Sequence, residues 1–329
     1  MTDISTRDAA LALHMAALVV DGHCDTLGRV VDDGIALGER QTRGHLDLPR
    51  LREGGVNAQV FACFTGGARG KNTWDRFLRM TDALHQALRA YPEQLLLVER
   101  AADVVRARAD GRLAAILSME GAEPLGTDLM RLRIAYALGL RNLGFVWGGR
   151  NRAGCGVSEP GDDGKGLSAF GKRLVAACND LGILIDVSHL NEPGFWDVIE
   201  TSRQPIWASH SNARALFDVP RNLWDDQIKA LAGGGGVVAV VFTFLRDQDE
   251  DGRLEHVLDH IDYIAGLVGP SAVAIGSDFD GIPIPPLGLE DVTRFPSLTE
   301  GLLARGYSEA DVRGILGENW LRLFRKVVG

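Results

Sequence analysis

The sequence predicts an α/β fold, a (β/α)8 TIM barrel in a single domain over residues 1–329, from three observations. Short apolar runs rich in Val, Ile and Phe alternate with longer amphipathic segments, the pattern of parallel strands joined by helical crossovers. Glycine or proline punctuates most of the joins. Eight such runs can be read, and several stop abruptly at His, Asp or Glu. In a barrel all the carboxyl ends share one rim, so those residues would converge. An open doubly wound sheet shares the alternation; closure is for the tertiary structure to decide.

In order, the strands are expected at 17–23, 57–64, 112–120, 141–147, 182–189, 205–210, 236–242 and 272–280. Between them, helical periodicity is clearest over 74–91, 167–182 and 255–269. The glycine- and proline-rich segments 153–166 and 280–292 read as long loops beside a site. No linker-like stretch divides the chain and no internal repeat is found. Gly233–Gly236 is a run of four glycines without a following Lys-Ser/Thr, so it reads as a turn before the seventh strand, not a phosphate loop.

With 46% hydrophobic and 24% charged residues, the composition is that of an ordinary globular protein able to bury a large core. A net charge of −9 without a basic run argues against nucleic-acid binding. Cys24, Cys63, Cys155 and Cys178 are widely spaced, giving neither a disulfide framework nor a zinc knuckle. The first twenty residues lack a secretory pattern, and no apolar run reaches bilayer-spanning length. A cytoplasmic protein without membrane partners is expected, and the outer helices of a barrel would suit a homodimer.

Position is the informative signal. His23 and Asp25 end the first strand, Glu120 the third, His189 the fifth, His210 the sixth, and Asp278 the eighth. Two of these ends repeat one pattern, apolar strand then Ser-His, in "IDVSH" and "IWASH". A lone strand-end histidine is more often a hydrogen-bonded structural residue; five candidates on one rim favour a metal site. Imidazoles with carboxylates suit zinc or a similar divalent ion. His23 and Asp25, two apart, can reach one ion, while alternation sends Cys24 the other way. His189 and His210 can take a second ion, with Glu120 bridging. Two ions about 3.5–4 Å apart can share and activate a water, which predicts hydrolysis of an amide or ester. His45 and Asp47 also form His-X-Asp but precede a helix start and read as structural. His256 and His260, four apart on a helix without the Glu of His-Glu-X-X-His, read as solvated residues.

At these residues the chain resembles the membrane (renal-type) dipeptidase family of binuclear zinc metallopeptidases, a branch of the amidohydrolase-like barrels. The segments that carry the resemblance are "VDGHCDTL", "HLDLPRLREGGVNAQVF", "SMEGAEPL", "DVSHLN", "ASHSNAR", "VPRNLWDDQI", "IGSDFDG" and "LGENWLRLF", in that order over nearly the whole chain. The resemblance implies two Zn2+ ions, one on His23 and Asp25 and one on His189 and His210, bridged by Glu120 and a hydroxide. It implies that Arg221 holds the terminal carboxylate of a dipeptide substrate, a task suited to a guanidinium fork. It implies that Asp278 meets the free amine and helps protonate the leaving group. One position departs. A histidine expected after the fourth strand, an oxyanion donor, is replaced in "LGFVWGGRN" by Trp147, with Arg150 and Asn151 as nearby donors.

A zinc-dependent dipeptidase is therefore expected. The Trp147 departure motivates an alternative, an amidase, deacylase or lactonase of the same superfamily. A non-catalytic binding protein is disfavoured because all five ligand residues are present.

Overall fold

A computed structural model describes residues 4–66, 72–158, 164–246 and 252–329; the rest of the expected loop 153–166 lies outside them. The strands are β1 Val20–Cys24, β2 Ala58–Phe64, β3 Leu95–Leu97, β4 Leu113–Glu120, β5 Leu140–Gly144, β6 Leu184–Asp186, β7 Trp207–Ala208, β8 Val237–Val240 and β9 Val273–Ile275. All pair in parallel, in the order β1-β2-β4-β5-β6-β7-β8-β9, with β3 beside β4. The two ends meet at the carboxyl rim. There Asp25 N–H donates to Phe279 O at 2.9 Å and Asp278 N–H to His23 O at 3.1 Å. The result is the nearly closed eight-stranded (β/α)8 barrel that the sequence predicts.

Each expected strand overlaps one barrel strand, but several are shorter than the apolar runs suggest. The run 205–210 keeps only Trp207–Ala208, and the run 272–280 only Val273–Ile275. The sequence reading missed β3. It pairs Leu95–Leu97 with the first half of β4, while β5 pairs with the second half, so β3 extends the ladder outside the barrel order. The expected helices appear as Thr73–Ala90, Ala169–Leu181 and Leu254–Val268.

Both faces of the strands are buried, which is why they read as continuous apolar runs. Alternate residues serve different cores. Val60, Ile116, Leu184 and Val237 belong to one cluster with Trp320 and Phe324 of the last helix, Asn319–Val328. Phe61, Leu117, Ile185 and Val238 face a second cluster beneath the surrounding helices. Trp320 stacks on Phe324 at 4.5 Å and approaches Trp207 at 6.4 Å. This apolar packing fills one side of the barrel and leaves the carboxyl rim for polar groups.

Two histidine readings need correction. His260 is fully buried, not solvated: Nδ1 accepts from Ala213 N–H at 3.2 Å, and Nε2 pairs with Leu245 O at 3.0 Å. His256 is half-buried and accepts from Arg253 N–H at 3.1 Å. Both join loops to the helix, a role that an i,i+4 spacing does not reveal. Asp47 caps the helix Leu48–Glu53 by accepting from Arg50 N–H at 2.9 Å, and His45 Nδ1 accepts from Asp280 N–H. No helix among the described residues is long and apolar enough to cross a membrane.

Candidate active site

At the carboxyl rim, side chains take over the backbone donors and end the ladder. The Asp186 carboxylate, at the end of β6, accepts from Ser188 N–H and Ser209 N–H through Oδ1, both at 2.9 Å. The chain turns there, and His189 follows with a φ of 69°. A matching arrangement joins β1 to β9. Asp21 accepts from the Ser277 N–H at 2.8 Å and hydroxyl at 2.7 Å, and Asp278 follows with a φ of 62°. A non-glycine residue held in this left-handed region costs about 1–3 kcal/mol, a strain that clusters at functional sites.

The other four candidate ligands converge on Glu120. Its Oε1 lies 3.1 Å from His189 Nε2 and 3.6 Å from His210 Nε2, and its Oε2 lies 3.6 Å from His23 Nε2. His23 Nε2 is 3.9 Å from Asp25 Oδ2, and the Nε2 atoms of His189 and His210 face each other at 2.9 Å. The triads His23–Asp25–Glu120 and Glu120–His189–His210 each bring one ligand atom per residue within 4.8 Å of the others. Cys24 packs away from them in the outer apolar core.

This donor set fits divalent cations. Buried polar atoms almost always have partners, yet both ring nitrogens of His23 and Oδ1 of Asp25 have none among the described residues. Imidazoles and carboxylates with free lone pairs at this spacing suit first-row metals. His23, Asp186 and His210 form a third possible group. The two Asp186 oxygens, however, already accept three hydrogen bonds.

Charge is divided across the cluster. Burial opposes protonation of His23, but Glu120 with Asp25 and Asp278 outweighs it and pushes the imidazole up to about 10. Burial also opposes ionisation of Glu120, yet His23 and His189 hold its carboxyl well below the usual range. On the other side, burial and then Arg221 push His189 down to about 4. Burial, followed by His23 and Arg221, keeps His210 neutral well below its ordinary value. Burial raises Asp278 to about 7 against the pull of His23 and Arg221, with Glu120 adding to the rise.

A cavity of about 360 Å³ opens on this cluster, lined by Asp25, Glu120, His189 and Asp278 and by Phe64, Trp147, Arg29 and Arg76. Trp147 is 43% exposed, with its ring 4.9 Å from Phe64 and 6.2 Å from His189. Gly281 is required on this wall: a Cβ there would lie 2.2 Å from Asp25 Oδ2 and 2.3 Å from Asp278 Oδ1. Arg221 is buried behind the histidines. Its Nη1 donates to the Ser211 hydroxyl at 2.9 Å and its Nη2 to His210 O at 2.7 Å, while its Nε has no partner among the described residues. It lines a neighbouring cavity of about 180 Å³ that shares His189 with the first. Asn151, read from sequence as a spare donor, is committed to its own loop. Its Oδ1 accepts from Ala153 and Gly154, and its Nδ2 donates to Phe145 O.

Sequence reasoning missed Asp21, Asp186, Ser209 and Ser277 as parts of the site. The signal available was the serine that immediately precedes His189, His210 and Asp278. Only the cross-strand register shows which aspartate each serine meets.

Residues 7–328 match the model of the membrane dipeptidases, peptidase family M19. The chain is 30% identical over 326 residues to dipeptidase tcpJ of Claviceps purpurea, covering 93% of this chain and 76% of that one. The crystal structure of dipeptidase AC, a metallopeptidase of family M19, superposes with a TM-score of 0.90 at 38% identity, covering 95% of this chain and 99% of that one. A Rhodobacter sphaeroides metallopeptidase, bound to a phosphinate mimic of the dipeptide L-Ala-D-Ala, superposes with a TM-score of 0.89 at 36% identity, covering 94% and 99%.

Proposed function

The chain belongs to the membrane dipeptidase family, peptidase family M19, and from that premise we propose that it is a zinc-dependent dipeptidase. The observation that carries this reading is the pair of His23 nitrogens without a partner among the described residues, buried beside Glu120, which lines a cavity together with Asp25, His189 and Asp278. His23 and Asp25 would hold one ion, His189 and His210 the other, with Glu120 between them. Bound there, the ions supply Lewis acidity toward the scissile carbonyl and lower the pKa of water. The relative that binds a phosphinate dipeptide mimic supports a dipeptide substrate.

The chain's own groups would orient that substrate. Asp278 would pair with the substrate ammonium, and a carboxyl pushed up to about 7 can accept the proton released by the attacking water and pass it to the departing amine. Arg221, with its Nε–H free, takes the terminal carboxylate. The exposed Trp147 and its neighbour Phe64 form an aromatic wall against the substrate. A second reading, an amidase, deacylase or lactonase, is favoured by one observation. Trp147 stands half-exposed where an oxyanion-binding histidine is expected, and Asn151 does not replace it.

A panel of free, N-acetylated and C-amidated dipeptides, offered to zinc-loaded protein, separates the two readings. A dipeptidase cleaves the free compounds and slows about 100-fold or more on the blocked ones, since each block leaves a buried charge unpaired. Cleavage of blocked substrates in preference to free ones establishes the second reading. If no free dipeptide is cleaved, the first is excluded.

A further inference from the structure

Asp186 and Ser209 line neither of the two cavities at the site, yet both are buried against His210. The Ser209 hydroxyl lies 2.5 Å from Asp186 Oδ2 and 2.6 Å from His210 Nδ1. It has one proton to give. Asp186 is acceptor-only in this network, where its oxygens receive Ser188 N–H, Ser209 N–H and the Ser209 hydroxyl. The hydroxyl proton therefore goes to Asp186, and Ser209 Oγ is left as the acceptor for His210. That bond requires a proton on Nδ1, which leaves the lone pair of the neutral imidazole on Nε2. Nε2 is the atom that faces His189 Nε2 at 2.9 Å and Glu120 Oε1 at 3.6 Å.

We propose that Asp186 and Ser209 are positioning residues that fix His210 as the Nδ1–H tautomer through the relay Asp186 Oδ2···H–Oγ Ser209···H–Nδ1 His210, so that Nε2 is presented as a metal ligand. The backbone makes the relay possible. Asp186 stands opposite Trp207 in the β6–β7 register, which puts Ser209 two residues on, beside its carboxylate. Outer partners of this kind set the orientation and tautomer of metal-binding histidines, and their loss typically costs 10–100-fold in affinity. The metal part of the inference rests on the proposed function; the tautomer does not.

Asp186→Asn is the decisive variant. Its Oδ1 can keep both backbone N–H bonds, but an amide NH2 replaces Oδ2 and donates to Ser209. The hydroxyl must then donate to His210 Nδ1, and the proton moves to Nε2. Histidine 15N–1H spectra of the metal-stripped full chain, with His210 assigned by its loss in His210→Gln, read this directly. The expected result is Nδ1–H in the wild type and Nε2–H in Asp186→Asn. Zinc affinity, measured against a chromophoric chelator, should fall about 10–100-fold in both Asp186→Asn and Ser209→Ala. The proposal is overturned by an Nε2–H tautomer in the wild type, or by zinc affinities within twofold of it in both variants. It is also overturned if Asp186→Asn loses zinc while Ser209→Ala keeps it, which would make Asp186 a direct ligand. If Asp186→Asn does not fold, the wild-type tautomer and Ser209→Ala still decide. Absence of zinc binding in the wild type would refute the proposed function, leaving the tautomer to be judged by the spectra.

Discussion

The β1–β9 side of the cluster sets His23 among three carboxylates, Glu120, Asp25 and Asp278, whereas the β6–β7 side sets His189 and His210 beside the Arg221 guanidinium. Both sides use a buried aspartate that clasps a serine just past the end of the neighbouring strand, Asp21 with Ser277 and Asp186 with Ser209. The same device thus carries opposite electrostatics. His23 is pushed up to about 10 and His189 down to about 4. The histidines also differ in their free atoms: among the described residues His23 has no partner at either nitrogen, while His210 has Nδ1 anchored to Ser209. A site with a carboxylate side and a guanidinium side is polar along one direction. Under the proposed function, a zwitterionic dipeptide would be oriented by that field before any specific contact is made.

Glu120 belongs to both sides, so removing its charge should have the largest effect. Glu120→Gln is expected to lose about 10³-fold or more in kcat/KM, together with metal content on both sides. A loss below tenfold, with full metal content, would show that the halves do not depend on a shared carboxylate.

The guanidinium side comes next. Arg221→Lys keeps the charge but gives up the planar fork, and should cost about 10–100-fold in kcat/KM on free dipeptides, mainly through KM. C-amidated substrates should be nearly indifferent to it. Equal losses on both substrates would move Arg221 from carboxylate recognition to support of His210, whose carbonyl it holds.

The smallest expected effect sharpens the comparison from outside the site. Burial, opposed only in part by Leu245 O, holds His260 down at about 4, against about 6.5 in an unfolded chain. Above pH 6.5 both states are neutral and nothing is lost. As pH falls from 6.5 towards 4, the unfolded state takes up a proton that the folded state refuses. Stability should therefore decline, by up to about 3 kcal/mol over that window. His260→Gln should flatten this part of the urea midpoint's pH dependence while leaving kcat/KM at neutral pH within a few-fold. An unchanged pH dependence would show that His260 does not titrate on unfolding as its burial requires.

The barrel strands were legible because strands buried on both faces cannot alternate with polar residues, so each appears as an uninterrupted apolar run. The candidate ligands were legible for a related reason. A histidine or carboxylate that abruptly ends such a run has little explanation in apolar packing, and its neighbours along the chain do not supply one. Where local pattern and tertiary role part, reading failed. The i,i+4 spacing of His256 and His260 looks like a solvent face, yet His260 is sealed under the loop that carries Leu245 and against the Ala213 backbone. The three residues of β3 are too few to show a period.

By itself, then, the sequence determined the alternation of parallel strands with helices and placed His23, Asp25, Glu120, His189 and His210 at strand ends, while barrel closure, which brings them to one rim, was decided by the tertiary structure. The serine before His189, before His210 and before Asp278 was also plain in the sequence. Only the tertiary structure decided what those serines do. Ser209 meets Asp186 and Ser277 meets Asp21 across strand pairs, Asp186 to Ser209 over 23 residues and Asp21 to Ser277 over 256. Those pairings depend on strand register and barrel closure. Hydrogen-bond direction, and with it the nitrogen each histidine turns toward the site, is set by these cross-strand contacts and not by any local run of residues.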